Sequence, residues 1–301
     1  RLMALNEYVC ENFSTSFIFK TKIPKDFKYD FLLLPNSNNY KRDIDYLKNE
    51  IISDSVLVLD GYIFHSRFQE QIKKRTLFKL VYIDDFGGHF PFADVVVNHA
   101  PGVKKTDYYV NPKTKLLLGL DYLLLRKAFF KKNSIIPSIQ LKSVFVCFGG
   151  CDIENFSKTI SEELVKLAKV KRINLVLGDQ YPFSKKWISD EKIKVLENLC
   201  ADKMNHYMKK SSLIIVPSST LVLESLCIGR PVITIKTSEN QNFIFKGLKK
   251  YKHVYRFQEY NSKTKKLLFQ VVLKYLTDKN FEYEVIKFDS RKKYNKIFQS
   301  F

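Results

Sequence analysis

Glycine, proline and long apolar runs are all scarce in this sequence. Ten glycines and nine prolines among 301 residues exclude collagen-like and low-complexity chains, which need several times as much of either residue. No run of uncharged apolar residues in the sequence reaches the roughly 18 positions that a membrane-spanning helix requires. We therefore predict a globular, cytoplasmic protein that does not insert into a membrane.

Cysteine is sparse as well, and its spacing does not suit a metal site. The closest pair of the five cysteines, Cys147 and Cys151, flanks a Gly-Gly turn and lacks a second pair or histidine partners. We therefore predict buried free thiols. The triplet DID at Asp43–Asp45 resembles a metal-binding DxD, but its place in a polar helical pattern favours a solvated helix face. The sequence thus predicts neither a metal nor another cofactor.

Acidic residues are outnumbered by basic ones. The chain has 51 Lys and Arg against 31 Asp and Glu, which gives a net charge of +20. Such an excess is typical of proteins that bind nucleic acid, anionic lipid or a phosphorylated substrate. The basic segments, such as KRTLFK and KGLKKYK, are scattered and form no single stripe. We predict no nucleic-acid partner, and nucleic-acid binding remains an alternative that rests on the charge alone.

What the sequence does contain is a strand-then-helix rhythm that runs twice. Apolar β-rich segments, typical of parallel strands covered on both faces, occur at Ser16–Phe19, Ser55–Leu59, Phe78–Ile83, Asp94–Val97, Ser143–Cys147, Ile173–Leu177, Leu213–Val216 and Pro231–Ile235. Helical patterns lie between them at Ile44–Ile52, Phe64–Lys74, Asn155–Ala168, His206–Lys210 and Leu221–Ile228. The succession predicts an α/β protein of two doubly wound, Rossmann-like domains that face each other across a cleft.

A polar, basic segment, KKNSIIPSIQ at Lys131–Gln140, separates the two series. We therefore expect an N-terminal domain at 1–135 and a C-terminal domain at 141–301, in a monomer. The Lys-rich amphipathic tail, Phe281–Phe301, is expected to pack on the first domain. The chain starts with Arg1 instead of Met and enters a helical pattern at once, so we expect the native N-terminus to lie upstream.

The sharpest local pattern is VFVCFGGCDIENFS, in which a strand ends at Phe148 and a helix follows. Gly149 and Gly150 allow backbone N–H groups to approach a phosphate, and the helix start adds favourable partial charge. The motif has fewer glycines than a Walker or GxGxxG loop. The alternative is an ordinary strand-to-helix turn in which Asp152 or Asn155 caps the helix.

The second pattern, LIIVPSSTLVLESLCIGRPVITI, also runs from a buried strand into a helix. Hydroxyl and N–H groups at Ser218, Ser219 and Thr220 suit a diphosphate. The carboxylate of Glu224, one turn further along, can accept hydrogen bonds from both ribose hydroxyls. This spacing suits a nucleoside diphosphate. As an alternative, the hydroxyls cap the helix and Gly229 ends it.

These motifs carry a resemblance to a known family. Glu224, a Gly-Arg-Pro turn, a strand and then SENQ resemble the C-terminal domain of GT-B proteins related to the MurG glycosyltransferase. Within that group the chain is more similar to the UDP-2,4-diacetamido-2,4,6-trideoxy-beta-L-altropyranose hydrolases of bacterial pseudaminic acid biosynthesis. The shared motifs are YIDD (Tyr82–Asp85), ADVVVN (Ala93–Asn98), LLGLDYLLLRKAF (Leu117–Phe129), FGGCDIENFS (Phe148–Ser157), SSTLVLES (Ser218–Ser225) and ENQ (Glu239–Gln241).

The resemblance implies hydrolysis of a UDP-sugar at its anomeric carbon, with release of UDP and the free sugar. The C-terminal domain would bind UDP, with Glu224 on the ribose and the turn at Ser218–Thr220 on the diphosphate. Asn240 and Gln241, on the loop after the last strand, would face the sugar. Their amide side chains suit N-acetyl groups as well as hydroxyls.

The N-terminal domain would form the sugar and catalytic side. Asp60 and Tyr62, from LDGY, match a DxY of the family and would line the cleft, and Tyr122 and Arg126 would help to shape the sugar side. Each has an alternative role. Arg126 lies four residues after Tyr122 and can be a structural anchor, and Asp60 can cap a helix.

The start of the chain departs from the family pattern. RLMALNEYV resembles the stretch that begins at the arginine of a G-H-x-x-R loop, whose histidine is taken as the catalytic base. Arg1 would then be the last residue of that motif and a substrate ligand, and the histidine would lie just upstream of it. The five histidines present lack a carboxylate partner at a helpful spacing, so the catalytic residue is left unknown.

Two alternatives stay open beside the hydrolase. One is a UDP-sugar-dependent glycosyltransferase of the MurG type, because the UDP subsite would be the same and only the acceptor differs. The other is a truncated, non-catalytic protein that binds nucleotide sugars. A nucleotide sugar is the expected small-molecule partner in all three cases.

Overall fold

The computed structural model describes residues 1–20, 23, 27–35, 39–88, 90–130, 142–277 and 290–301. The chain divides into two compact units, one formed by Arg1–Leu124 with Asp289–Phe301 and the other by Leu125–Phe288. The units part just before Leu125, whereas the predicted join at Lys131–Gln140 lies outside the described residues.

The first unit contains a parallel sheet of four strands that follow one another in chain order. Its elements are α1 (Leu2–Val9), β1 (Phe17–Phe19), β2 (Phe31–Leu33), α2 (Tyr40–Glu50), β3 (Val56–Asp60), α3 (Ser66–Arg75), β4 (Lys79–Ile83), β5 (Val95–Asn98) and β6 (Lys115–Leu118). Strands β3 to β6 form the sheet, and β1 pairs with β2 in a separate parallel ribbon. β4 and β5 are apolar and buried nearly throughout, as parallel strands covered on both faces are.

Helices α2 and α3 bury one apolar face each in the core of the first unit. Ile44 and Leu47 of α2 and Phe68 and Ile72 of α3 join the same cluster as the strands. The polar side of α2 does not behave as the sequence predicts. Asp43 is fully buried and forms an ion pair with Lys20, so the solvated face expected for the DID triplet is wrong at that residue.

The second unit contains a larger parallel sheet of six strands. Its elements are β7 (Ser143–Cys147), α4 (Phe156–Leu164), β8 (Arg172–Leu177), β9 (Ile193–Glu197), α5 (Ala201–Lys209), β10 (Leu213–Pro217), α6 (Thr220–Ile228), β11 (Val232–Ile235), α7 (Asn242–Gly247), β12 (Val254–Phe257) and α8 (Ser262–Thr277). Helices α4 and α8 pack on the strands through apolar side chains such as Ile160 and Val272. Helix α6 is apolar and buried almost all round, which is typical of a core helix.

The strand order of the second unit contains a topological switch. The order is β12-β11-β10-β7-β8-β9, so the chain builds outward from β7 in one direction and then from β10 in the other. β7 and β10 are direct neighbours in the sheet. In open α/β sheets, ligands bind outside the carboxyl ends of the strands at such a switch, which directs attention to the turns after β7 and β10.

A C-terminal helix, α9 (Arg291–Gln299), completes the first unit. It packs on α1, where the rings of Tyr8 and Tyr294 lie 6.0 Å apart and Asn295 donates to the carbonyl of Tyr8. The prediction that the tail packs on the first domain is confirmed for residues 290–301. Residues 281–289 of the predicted tail lie outside the described part of the chain.

Two chain-wide features complete the fold. All five cysteines are free, but only Cys147 and Cys227 are buried, and Cys10 and Cys200 are exposed. The prediction of buried thiols is therefore wrong for the two exposed residues. Among the residues that the structure describes, no helix has both the length and the apolar character needed to cross a bilayer.

Candidate functional site

The turn after β7 contains two adjacent glycines, which carry no side chain. Gly149 has a φ of +83°, and a methyl group added at Gly149 or Gly150 would meet no atom within 4 Å. A methyl group added at Gly178, which follows β8, would lie 2.3 Å from the carbonyl oxygen of Gly150. Gly178 therefore lets the backbone of one strand end approach the next. Gly178 was not among the residues predicted from the sequence, although its place directly after a buried strand, in LVLGDQ, was a signal for it.

Asp152 and Asn155 link this turn to helix α4. The two carboxylate oxygens of Asp152 accept hydrogen bonds from the N–H groups of Phe156, at 2.9 Å, and Ser157, at 2.8 Å. Burial raises the pKa of Asp152, and these hydrogen bonds oppose the shift. Asn155 has a left-handed backbone, and its side-chain oxygen accepts from the Tyr181 hydroxyl at 2.5 Å. Asp152 thus caps the start of α4, as the capping alternative expects, whereas the side chain of Asn155 makes no capping hydrogen bond and bonds to Tyr181 instead.

The turn after β10 carries the hydroxyl groups of the second motif. Ser218 is fully buried, and its hydroxyl lies 3.0 Å from that of Thr234 on β11. Ser219 is the N-cap of α6, and its side chain accepts from the Leu221 N–H at 3.4 Å. Thr220 is the first residue of α6 and is partly exposed. The serine hydroxyls therefore hold the turn together, which leaves the helix start itself as the feature suited to an anion.

Glu224 lies one turn into α6 and is held by Arg126. Glu224 Oε1 accepts from Arg126 Nε at 2.9 Å, and Oε2 accepts from Nη2 at 2.8 Å. The side chain of Glu224 is 3% exposed and that of Arg126 is 31% exposed. Burial raises the pKa of Glu224, and Arg126 opposes this shift. The sequence had placed these two residues in different domains and roles, but they form one buried ion pair within the second unit.

The glycine turn and the helix that carries Glu224 follow β7 and β10, two strands that pair directly in the sheet. Burial raises the pKa of Cys147, the last residue of β7, to about 12, with smaller contributions from the charges of Glu224 and Asp152 and an opposing one from Arg126. The structure therefore collects the glycine turn, the start of α6 and Glu224 at the carboxyl ends of two neighbouring strands.

The loop after β11 contains Asn240 and Gln241. The side-chain nitrogen of Gln241 donates to the Thr237 hydroxyl at 2.9 Å, and its oxygen accepts from the Thr237 N–H at 2.9 Å. Gln241 is buried, so its amide stabilises the loop itself. Asn240 is more exposed, and its oxygen accepts from the Ser238 hydroxyl at 2.5 Å. Of the two amides, Asn240 is the one better placed for a ligand.

In the first unit, the predicted residues Arg1, Asp60 and Tyr62 lie in one charged cluster. Arg1 forms ion pairs with Asp60, at the end of β3, and with Asp85, just after β4. The hydroxyl of Tyr62 donates to Asp85 at 3.1 Å. Burial raises the pKa of Asp85, and Arg1 and Tyr62 oppose that shift. Asp85 lies in the YIDD motif, but no role was predicted for it from the sequence.

Asp84, next to Asp85 in the sequence, has a separate set of partners. It is buried and accepts from the Tyr108 hydroxyl at 2.7 Å and from the Gly87 N–H at 2.7 Å, while the Asn98 amide donates to the same Tyr108 hydroxyl. A cavity of about 250 Å³ lies alongside, lined by Tyr62, His65, Ser66, Tyr82, Asp84 and Phe86. Exposed aromatic rings over carboxylates suit a ligand that is rich in hydroxyl groups.

Tyr122 belongs to the first unit and Arg126 to the second. The carbonyl of Tyr122 accepts from the Tyr294 hydroxyl at 2.7 Å, and its ring lies 6.4 Å from that of Tyr294. Tyr122 is thus engaged with α9 in the first unit. Arg126 starts the 3-10 helix Lys127–Phe129 of the second unit.

The described histidines differ widely in their surroundings. Burial lowers the pKa of His99 to about 3, and its Nδ1 accepts from the Leu124 N–H. His99 is therefore neutral, and its ring is engaged in a hydrogen bond with the backbone. His65 is exposed and lies 3.0 Å from the Tyr40 hydroxyl, whereas His89 lies outside the described residues. Within the described part of the chain, no three His, Cys, Asp or Glu side chains come together as they would around a metal ion.

Comparisons with known proteins were made at three levels. No family model matches the chain. Among curated proteins, an uncharacterized protein of Methanocaldococcus jannaschii is 30% identical over 213 residues, which are 65% of this chain and 43% of that protein. The UDP-2,4-diacetamido-2,4,6-trideoxy-beta-L-altropyranose hydrolase of Campylobacter jejuni is 27% identical over 230 residues, 70% of this chain and 82% of the hydrolase.

A third curated relative is the spore coat polysaccharide biosynthesis protein SpsG of Bacillus subtilis. It is 25% identical over 180 residues, which are 57% of this chain and 52% of SpsG. The chain thus spans about half the length of the Methanocaldococcus protein and of SpsG. The sequence identity to the hydrolase is low, at 27%.

Solved structures match over nearly the whole chain at low identity. MurG of Acinetobacter baumannii gives a TM-score of 0.59 at 10% identity and covers 100% of this chain and 95% of its own. A protein from Listeria monocytogenes described as a UDP-N-acetylglucosamine 2-epimerase gives 0.60 at 15% identity, with 100% and 93% covered. These likenesses, together with the two parallel sheets, show that the chain has the α/β fold of the GT-B proteins.

Proposed function

We propose that this protein processes a nucleotide sugar, and that it hydrolyses a UDP-linked 2,4-diacetamido-2,4,6-trideoxyhexose. The observation that carries the proposal is the arrangement in the second unit. A glycine turn, a helix start and a buried glutamate lie together at the topological switch of a parallel sheet. The specific reaction comes from the Campylobacter hydrolase, which the chain resembles over 82% of that enzyme's length.

In this proposal each group of the second unit has a defined role. The open backbone at Gly149 and Gly150 approaches the diphosphate, and the start of α6 adds the partial positive charge of its N–H groups. Glu224 accepts hydrogen bonds from the ribose hydroxyls, because a carboxylate has lone pairs for two donors. Asn240, on the neighbouring loop, donates to or accepts from the sugar substituents.

The reaction breaks the bond between the anomeric carbon and the phosphate oxygen. Water supplies the hydroxyl group of the free sugar, UDP leaves with the electron pair of the broken bond, and the remaining proton of the water passes to UDP or to the solvent. Backbone N–H groups and a helix start that face the diphosphate stabilise the charge that develops on it, which is the usual way in which a fixed site lowers such a barrier. The roles of Arg1, Asp60, Tyr62 and Tyr122 on the sugar side stay predictions.

A glycosyltransferase is the second candidate, favoured by the GT-B fold that the chain shares with MurG. The nucleotide subsite would be identical in both enzymes, since fold alone does not fix the reaction. The two differ only in what attacks the anomeric carbon. A third candidate is a protein that binds nucleotide sugars at the same subsite but does not catalyse a reaction on them.

Product analysis separates the three candidates. The protein is incubated with the UDP-linked 2,4-diacetamido-2,4,6-trideoxyhexose, with UDP-N-acetylglucosamine in a parallel sample, and released UDP and free sugar are quantified by chromatography. The proposal expects equal amounts of UDP and free sugar from the diacetamido substrate without any acceptor. UDP release that requires an added acceptor supports the transferase, and binding without release of either product supports the non-catalytic protein.

A further inference from the structure

The ion pair between Arg126 and Glu224 is an unusual feature of a core helix. Glu224 is 2% exposed and its neighbours Val222, Leu223 and Leu226 are fully buried and apolar. A buried ion pair loses the hydration of both charges, so replacing it with packed apolar side chains is often neutral or stabilising. Stability alone therefore gives no reason for a carboxylate at this position, and a role in binding does.

The geometry of the pair defines what a ligand has to replace. Nε and Nη2 of Arg126 donate to the two oxygens of Glu224 at 2.9 and 2.8 Å, as a planar fork. The two adjacent hydroxyls of a ribose also donate in parallel to two oxygens of one carboxylate. The guanidinium and the ribose hydroxyls thus compete for the same hydrogen-bond acceptors.

The backbone that carries Arg126 is fixed, whereas the side chain has room to move. The 3-10 helix Lys127–Phe129 packs on α5 and α6, and the Ala128 carbonyl accepts from the Asn205 amide at 2.6 Å. The side chain of Arg126 is 31% exposed, and its guanidinium carbon lies 5.2 Å from the centre of the Phe129 ring. An aromatic face at this distance attracts a cation, so the guanidinium has a contact that does not depend on Glu224.

We propose that Arg126 is a latch on Glu224 that ribose opens: the two ribose hydroxyls of the nucleotide displace the guanidinium, which then pairs with the diphosphate. This inference rests on the proposed function, and it adds a mode of selection to the nucleotide subsite. A ligand with both a ribose and a diphosphate gives each partner of the ion pair a new contact, because its hydroxyls bond to Glu224 and its diphosphate pairs with Arg126. A nucleoside alone breaks the ion pair but has no phosphate that can pair with Arg126. The site without ligand therefore binds a nucleoside more weakly than a nucleoside diphosphate.

The latch predicts effects of opposite sign for two ligands. Removing the guanidinium with Arg126→Met frees Glu224 for ribose, so uridine binds at least tenfold more tightly than to the wild type. The same variant lacks the cation that meets the diphosphate, so UDP binds at least tenfold more weakly. 2′-Deoxyuridine has one hydroxyl fewer on the ribose and shows no comparable gain. A purely structural ion pair moves all three affinities in the same direction.

The experiment is calorimetric titration of the wild type, Arg126→Met and Arg126→Lys with UDP, uridine and 2′-deoxyuridine. Arg126→Lys keeps the charge but replaces the fork with a single ammonium, and it shows the same signs with smaller changes. It also serves if the methionine variant does not fold. Arg256→Met is the matched control. Arg256 is half-buried, stacks on the Phe245 ring at 4.9 Å and donates to a backbone carbonyl. We expect this variant to leave all three affinities unchanged.

The outcomes separate this inference from the function on which it rests. Opposite shifts of uridine and UDP in the Arg126 variants support the latch. If wild-type protein binds UDP but both ligands shift together or not at all, the latch is wrong and the nucleotide site stands. If folded wild-type protein does not bind UDP, the nucleotide site is wrong, and the latch falls with it.

Discussion

The carboxyl edges of the two sheets differ in what they offer a ligand. The edge of the second unit presents bare backbone at Gly149 and Gly150 and the start of α6. The edge of the first unit presents Asp60 and Asp85, both paired with Arg1, and the buried Asp84, which accepts from Tyr108. A diphosphate suits the first arrangement, whereas carboxylates would repel it and suit the hydroxyl groups of a sugar. Two sheets of one type thus present different chemistry at their carboxyl edges, which is the division that the proposed function requires.

The close backbone approach in the second unit gives the largest expected effect. In Gly178→Ala the new methyl group would lie 2.3 Å from the Gly150 carbonyl oxygen, and backbone cannot yield as a flexible side chain does. We expect a loss of about 3 kcal/mol in the free energy of unfolding, at the upper end for overpacking, measured by urea denaturation.

Gly150→Ala is the matched control, because a methyl group there meets nothing within 4 Å and the residue has no positive φ. We expect its free energy of unfolding to stay within about 0.5 kcal/mol of the wild type. Its UDP affinity falls nonetheless, because the methyl group keeps the phosphate from the backbone. Equal stability losses in the two variants would contradict the close approach.

Arg126→Met is expected to have the next largest effect on stability. Removing one partner of a fully buried pair strands the other charge and typically costs about 3 kcal/mol or more. Because the Arg126 side chain is 31% exposed, we expect a smaller loss of about 2 kcal/mol. Urea denaturation measures the loss. A change below about 0.5 kcal/mol would mean that solvent already reaches Glu224.

The stability loss in Arg126→Met depends on pH in a defined direction. Burial raises the pKa of Glu224, and the opposing effect of Arg126 is absent in the variant. A carboxyl whose pKa is raised on folding binds its proton more tightly in the folded state, so stability rises as the pH falls through the folded pKa. The difference between variant and wild type should therefore shrink as the pH falls through the raised pKa of Glu224, and a constant or growing difference would contradict it.

The acidic cluster of the first unit should give the smallest changes, and in a fixed order. Asp60 accepts from both Nε and Nη2 of Arg1, whereas Asp85 accepts from Nη1 alone and from Tyr62. We expect Asp60→Asn to cost about 1 kcal/mol and Asp85→Asn less, because each variant leaves Arg1 one carboxylate partner. Thermal unfolding of both variants checks the order, and a larger loss in Asp85→Asn would contradict it.

Much of the fold was predictable because its strands are buried on both faces. All eight predicted strands occur, with their ends shifted by at most two residues, as β4 and β7 illustrate. Strands β2, β6, β9 and β12 were missed: β6, β9 and β12 carry charged residues that interrupt the apolar pattern, and β2 is only three residues long. Helix α5 begins five residues before the predicted start, since its first turn is polar.

The positions of the site residues followed from the sequence more readily than their partners did. Strand-end motifs located the turns after β7 and β10, because in each case an apolar strand, a short polar turn and a helix follow one another directly in the sequence. The pairing of Arg126 with Glu224 joins residues 98 positions apart, and no local pattern reports such a contact. The role of Gly178 was hidden for the same reason, because it depends on the backbone of a neighbouring strand end.

The most direct test of the nucleotide site is calorimetric titration of UDP into the wild type and Glu224→Gln, with Glu239→Gln as control. Glu239 is an exposed carboxylate on the loop after β11, and its loss should leave the affinity unchanged. We predict that the wild type binds UDP and that Glu224→Gln weakens binding at least tenfold, which is about 1.4 kcal/mol. No binding to folded wild-type protein, or equal affinity in Glu224→Gln, would contradict the account.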